Sequence, residues 1–336
     1  MNWKLWKKNK SQDLVTVFLP TFNNEKWLKE SIESILSQTY RNIELIIVDD
    51  STTDRIKKIV DTYLNKGNVR YFHRENITGL ASAHNFCIDH MNGDWLKIMS
   101  SDDILLPDAI ENFVKYAHSK KSKILYPDVQ YINEIGNSIG TRIQQEFDNP
   151  EKLEEYLWLY QIIISVSLFY HKSCFDTVGK FDETLIETFD YKWISQATVL
   201  HNCRFTHIPK ILFKFRLHKK QTSFEHSKQH LSDVSKIRHS ILNELLKKNP
   251  EKWNLFQKRI SKYDEIQSND NNLEKPTESL EIDSSKNEFK CKICEHFGDV
   301  TNLIYIFPTQ DSVSCGQCHT IFSRKELEES TINDKN

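Results

Sequence analysis

The sequence predicts an α/β protein with a mostly parallel central sheet flanked by helices, followed by a small cysteine-containing module. Three observations carry that expectation. Short apolar runs alternate with stretches of helical period from "LVTVFLP" (14–20) to "PDAIENFVKYAH" (107–118). One run, "NIELIIVDD" (42–50), is apolar enough to be buried on both faces, as in a helix-covered parallel sheet. Four cysteines then fall in two C-x-x-C pairs behind a polar stretch.

The first strand, 14–20, leads into "NEKWLKESIESILSQ" (24–38), a helix with Leu28, Ile32, Ile35 and Leu36 on one face and Asn23 or Asn24 as its cap. The strand 42–50 is followed by a helix over 53–67 closed by Gly67. A third strand (69–73), a third helix (79–93) and a fourth strand (95–99) complete a βαβαβαβ run, whose natural solution is a parallel sheet. Beyond residue 124 the pattern loosens into strands at "KILYPDVQYI" and "VSLFYHKS", a helix at "FDYKWISQATVLHN" and a strand pair around Pro209. Residues 229–248 read as an amphipathic helix ending at Pro250. The expected division is a basic tail (1–12), an α/β domain (13–225), a helical extension (226–263), an acidic polar linker (264–288), a cysteine module (289–328) and a short tail (329–336).

At 336 residues the chain has room for about two domains. A net charge of −2 supplies no basic field, so nucleic acid is not expected as a partner. No apolar run reaches the roughly 20 residues that span a bilayer. The opening "MNWKLWKKNK" has lysines with no apolar core behind them, so it does not read as a signal peptide, and a cytoplasmic protein is expected. With Trp3, Leu5 and Trp6 among its lysines, this segment is either a frayed tail or a peripheral contact with the anionic inner face of a membrane.

In an open parallel sheet, ligands bind outside the carboxyl ends of the strands. Three such ends carry polar groups: Thr21 and Asn23 after the first strand, Asp49 and Asp50 after the second, and Asp102 and Asp103 after the fourth. Each could simply cap the following helix, but three at successive ends point to one shared site. No glycine-rich phosphate loop is present. A divalent cation held by Asp102 and Asp103 would relieve the repulsion of the adjacent carboxylates and bind diphosphate oxygens in place of such a loop.

The segments "VTVFLPTFNNEKWLKESIESILSQTYRNIELIIVDDSTTD" and "NITGLASAHNFCIDHMNGDWLKIMSSDDILLPDAIE" resemble family 2 glycosyltransferases, which have the GT-A fold. The resemblance runs from about Leu14 to Ser223. It implies that Pro20, Thr21 and Asn23 line a nucleotide pocket, that Asp50 accepts from the base, and that Asp102 and Asp103 meet ribose and a Mg²⁺ or Mn²⁺ ion. The chain departs from the family pattern at Ser100, where an acid is frequent, and at His84, where many members carry Arg. "FKFRLHKKQTS" resembles the family's closing Tyr-Arg-x-His segment, which would set Arg216 over the diphosphate and His218 in the metal site. An inverting transfer needs a carboxylate to take the acceptor proton. Alignment on Asp-Tyr makes that base Asp190, preceded by Phe189 where the family prefers an acid; a shifted register makes it Glu187.

Cys87, Cys174 and Cys203 lie among apolar neighbours and read as buried small hydrophobes. Cys291, Cys294, Cys315 and Cys318 form two knuckles suited to tetrahedral Zn²⁺ in a ribbon-like module too small for a good core. A closed four-cysteine site is structural, so a protein partner or self-association is its expected role. The resemblance thus implies an inverting hexosyl- or N-acetylhexosaminyltransferase using a nucleotide-diphosphate sugar, with UDP the expected nucleotide. The acceptor would be a glycan or lipid-linked glycan of surface polysaccharide or glycolipid synthesis. The alternative is a catalytically degenerate GT-A fold that binds partners through its zinc ribbon. A nucleotidyltransferase is disfavoured because "PTFNNEKW" is not a glycine-rich basic loop.

Overall fold

The computed structural model describes residues 13–75, 79–147, 151–154, 163–186, 188–218 and 227–258, together with short C-terminal strands. The alternation read from the sequence is present: β1 (Val15–Thr21), α1 (Glu25–Leu36), β2 (Ile43–Asp49), α2 (Arg55–Val60), β3 (Val69–His73), α3 (Leu80–His90) and β4 (Trp95–Ile98). β5 (Ile104–Leu105), α4 (Ala109–Lys120), β6 (Ile124–Ile132), β7 (Ser138–Arg142), β8 (Phe169–His171), α5 (Ser173–Val178), α6 (Phe189–Ser195), β9 (Phe205–Arg216) and α7 (Ser227–Lys248) follow.

The strands form one sheet in the order β3-β2-β1-β4-β8-β6-β9-β5, with β7 added outside β6. β1, β2, β3 and β4 pair in parallel, as do β6 and β9. β8 runs antiparallel to both β4 and β6, β5 to β9, and β7 to β6. The sheet is therefore mixed, not mostly parallel. The order 3-2-1-4 brings the ends of β1, β2 and β4 to one edge, and α1 and α4 cover one face while α3, α5 and α6 cover the other. Apolar side chains fill both interfaces, which accounts for the two-faced hydrophobicity of β2.

Three elements depart from expectation. The second helix stops at Val60 because Thr62 and Tyr63 N–H groups turn back to carbonyls three residues earlier, Ile59 and Val60, and the chain tightens into turns. The pair foreseen around Pro209 is a single strand. β9 passes Pro209 in a bulge, where Pro127 pairs with Ile208 and Asp128 with Ile211, so the missing proline N–H costs no ladder bond. Pro250 does not end the helical region: Asn249 interrupts it, and its Oδ1 accepts from Lys252 N (2.9 Å) to cap a further helical stretch over 250–258 with Pro250 in the first position. α7 packs Ile237, Ile241 and Leu245 against Tyr191, Val199 and Phe256 behind α6.

The C-terminal backbone forms two three-stranded antiparallel sheets, over Leu280–Asp283, Glu288–Cys291 and Phe297–Asp299, and over Ile304–Tyr305, Ser312–Ser314 and Ile321–Ser323. Cys291 ends one of these strands; Cys294, Cys315 and Cys318 lie outside the described residues, as do the N-terminal tail and most of the linker. Among the described residues no helix is long and apolar enough to cross a membrane.

Candidate active site

The β1–β2 register sets Thr21 opposite Asp49, so the residues leaving these strands face one another. Asn23 turns the chain at φ 49°, a left-handed conformation that asparagine tolerates, and its N–H donates to Ser51 Oγ (2.7 Å). Asp50 N–H donates to the Thr21 carbonyl (3.1 Å). Pro20 lies in β1 beside Val48, and Thr21 is buried, its hydroxyl without a hydrogen-bond partner among the described residues. After them Phe22 is 55% exposed, an aromatic face left open at the sheet edge. Asn24 holds the N-cap position of α1, but its amide donates to Ser101 Oγ (2.9 Å) and ties the helix start to the β4 loop.

Asp50 is gripped by Arg74 through two bonds, Nε to Oδ1 (2.7 Å) and Nη2 to Oδ2 (2.5 Å), while Nη1 donates to Ser82 Oγ (2.7 Å). Arg74 follows β3 and was not singled out from the sequence. The rule that drew attention to Asp50, a polar residue just past a parallel strand, applies to it equally.

Past β4 the two adjacent aspartates separate. Asp102 Oδ2 lies 2.7 Å from His218 Nε2, so a carboxylate and an imidazole 116 positions apart meet at this edge. The His218 ring rests on Trp27 (centroids 4.4 Å apart), whose indole N–H donates to the Glu134 carbonyl (3.0 Å). Asp103 turns inward as the chain straightens into β5. It is 1% exposed, Oδ1 accepts the Arg216 N–H (2.8 Å), and Oδ2 has no hydrogen-bond partner among the described residues. Burial first, and the neighbouring Asp102 charge second, push its carboxyl well above the usual carboxylate range.

Two expectations change here. Asp103, expected as a metal ligand, sits beneath the site. Arg216, expected over the diphosphate, is 1% exposed, with Nε on the Asp102 carbonyl (2.8 Å), Nη1 on the Asn133 and Glu134 carbonyls (both 3.2 Å) and Nη2 on Glu30 (2.5 Å). Its guanidinium organises the loop that presents Asp102. Asp102 and His218 are the pair of candidate ligands that the structure brings together. Among the described residues no group of three or more His, Cys, Asp or Glu could hold a metal ion. Such a partial set suits Mg²⁺, which keeps several waters and takes substrate phosphate oxygens.

Asp190 stands in the first turn of α6, where a carboxylate is favoured by the helix dipole. Its Oδ2 accepts from Ser165 Oγ, and its Oδ1 from Tyr191 N–H (2.7 Å). The Ser165–Ser167 turn is bound to β4 through Lys97 Nζ on the Val166 carbonyl (2.6 Å), which links Asp190 to the strand carrying the aspartate loop. Glu187 lies outside the described residues. Two of the departures from the family pattern meet in one place: the His84 ring packs on Phe189 (5.1 Å), Phe18 (5.0 Å) and Phe181 (5.3 Å). Burial brings the His84 pKa down to about 4, so it is a neutral core side chain.

The model of "Glycosyl transferase family 2" matches residues 16–179, from β1 to the end of α5. The uncharacterized glycosyltransferase RT0329 of Rickettsia typhi is 31% identical over 221 residues, which cover 65% of this chain and 68% of that one. Among solved structures, S. aureus TarS superposes with a TM-score of 0.57 at 19% identity, over 74% of this chain and 42% of TarS. TarS 1–349 in complex with UDP-GlcNAc gives 0.56 at 19%, over 69% and 66%. The chain thus spans less than half of whole TarS, and that likeness speaks for the GT-A-like fold alone. The shared alignment with the Rickettsia glycosyltransferase, together with the family match, shows that this chain belongs to glycosyltransferase family 2 and is a glycosyltransferase.

Proposed function

We propose that this enzyme transfers a hexosyl or N-acetylhexosaminyl group from a UDP-sugar to a hydroxyl of a glycan or lipid-linked glycan, with inversion at the sugar carbon. The observation that carries the reading is the meeting of Asp102 with His218 at the same sheet edge as the Asp50–Arg74 pair. The structures of TarS with UDP and with UDP-GlcNAc support the choice of nucleotide.

In this reading Thr21, Phe22 and Asn23 border the base, with the exposed Phe22 ring as a stacking face and Asp50, oriented by Arg74, as the acceptor for a base N–H. Asp102 and His218 would hold Mg²⁺ or Mn²⁺, which supplies charge neutralisation at the leaving diphosphate. Asp103 and Arg216 hold the Asp102 loop in place from below. Asp190 takes the proton of the acceptor hydroxyl as that oxygen attacks the sugar carbon, a contribution of roughly 10²–10⁴ in rate for a well-placed base. Cys291, Cys294, Cys315 and Cys318 would hold a structural Zn²⁺ in a module that serves assembly, and the basic tail would meet an anionic membrane surface.

Thermal unfolding with UDP, GDP, dTDP and CDP, each with and without Mn²⁺, tests the donor site. A nucleotide present at 100 times its dissociation constant adds about 2.7 kcal/mol. The expected result is a Mn²⁺-dependent rise with UDP that is lost in Asp102→Asn and His218→Ala. No rise with any nucleotide would overturn the reading.

A further inference from the structure

Asp190 has a partner that no sequence pattern connects to it. Ser165 is 25 positions away, on the single turn Ser165–Ser167, and its hydroxyl donates to Asp190 Oδ2. That turn is fixed by buried groups from other elements. Ile164 N–H donates to Gln144 Oε1 (3.0 Å), and Gln144 Nε2 donates to Ser167 Oγ (3.2 Å). Gln144 is itself fixed by its N–H on Asp128 Oδ1 (2.9 Å), on β6. From β4, Lys97 Nζ donates to the Val166 carbonyl (2.6 Å) and to that of Ile98 (2.7 Å). The Ser165 hydroxyl is thus presented from a frame tied to β4 and β6, not from α6.

Docking of α6 does not depend on this bond. Phe189, Trp193 and Ile194 are buried in the core, and Trp193 Nε1 donates to the Gly179 carbonyl (2.8 Å). What the serine adds is orientation. Ser165 on Oδ2 and Tyr191 N–H on Oδ1 reach both carboxylate oxygens and orient the plane of the group from two elements at once.

We propose that Ser165 is a positioning residue for the general base: it holds the Asp190 carboxylate in the plane from which it takes the acceptor proton. The proposal rests on the reading of Asp190 as that base. A misdirected base lowers the rate without changing how tightly the donor binds.

The test follows UDP release from UDP-GlcNAc, UDP-glucose and UDP-galactose by the full chain with water as acceptor. Wild type is compared with Ser165→Ala, Ser165→Thr, Asp190→Asn and the Ser165→Ala/Asp190→Asn double variant. The expected result is a kcat about tenfold lower in Ser165→Ala with KM unchanged, recovery in Ser165→Thr, and no further loss when Ser165→Ala is added to Asp190→Asn. Crystal structures of the two serine variants should show the Asp190 carboxylate turned in Ser165→Ala and retained in Ser165→Thr. Wild-type kcat in Ser165→Ala beside an inactive Asp190→Asn overturns the role of Ser165 and leaves the base in place. An active Asp190→Asn, or no UDP release by wild type from any of the three donors, removes the base itself and the proposal with it. An equal loss on adding Ser165→Ala to Asp190→Asn assigns the serine to folding instead.

Discussion

Two deeply buried carboxylates at opposite ends of the sheet, Glu44 and Asp103, are treated in opposite ways. At the amino end Glu44 is fully buried, and its oxygens receive Thr16 Oγ1 (2.5 Å), Asn92 N–H (2.6 Å), Asn92 Nδ2 (2.8 Å), Gly93 N–H (3.1 Å) and Arg70 Nη1 (3.3 Å). Burial alone would raise its carboxyl; the donors from Thr16, Asn92 and Gly93 outweigh that and hold it below the ordinary value. At the carboxyl end Asp103 is buried as deeply, yet one oxygen lacks a hydrogen-bond partner among the described residues and its carboxyl is pushed upward. The satisfied acid is a knot that joins β1, β2 and the β4 entry. The unsatisfied one lies beneath the loop that brings Asp102 to His218, and it is tied to its surroundings by the Arg216 N–H on one oxygen.

Removing Glu44 should therefore cost most. Glu44→Ala strands several buried donors at once and is expected to lower stability by about 4 kcal/mol, read by denaturant unfolding. A loss under 1 kcal/mol would mean the knot is not structural. Next comes His84, near the carboxyl end but committed to packing. Its folded pKa of about 4 lies below the ordinary value of 6.5, so the unfolded chain binds the proton first and stability falls as pH drops from 6.5 toward 4. The full loss is about 3 kcal/mol. His84→Phe should flatten that part of the pH–stability curve, and an unchanged slope would assign the acid sensitivity elsewhere. The smallest effect belongs to Asp103→Asn. The carboxamide oxygen still accepts the Arg216 N–H while a poorly satisfied buried carboxyl is removed, so stability should stay within about 1 kcal/mol of wild type. A loss comparable with that of Glu44→Ala would erase the contrast.

Much of this was legible in the sequence because parallel strands buried on two faces read as continuous apolar runs. The candidate site residues also stand where such strands end, as with Thr21, Asp50 and Asp102. What escaped notice is carried by short or polar elements. β5 has two residues and β7 is a half-exposed edge strand, so neither presents a hydrophobic period. Ser165 and Arg74 act through partners 25 and 24 positions away, and no local pattern encodes such a pairing. Arg216 was expected over the diphosphate because "FKFRLHKKQTS" resembles the family's closing Tyr-Arg-x-His segment. It is buried here because Glu30 and three carbonyls satisfy its guanidinium.

β9 uses twelve residues, Phe205–Arg216, to run alongside the nine of β6, Ile124–Ile132, and the surplus is absorbed around Pro209. Its beginning is moored by His207 on Asp128 (2.7 Å) and Thr206 on Ser122 (2.8 Å), and its end delivers His218 to Asp102. The surplus works as a vernier between two fixed points. Losing one residue there would draw the far end back by about 3.3 Å and present its side chains to the opposite face of the sheet. One residue more or fewer in that bulge would therefore re-aim His218 and Arg216 together, from a point well away from the aspartate loop they hold.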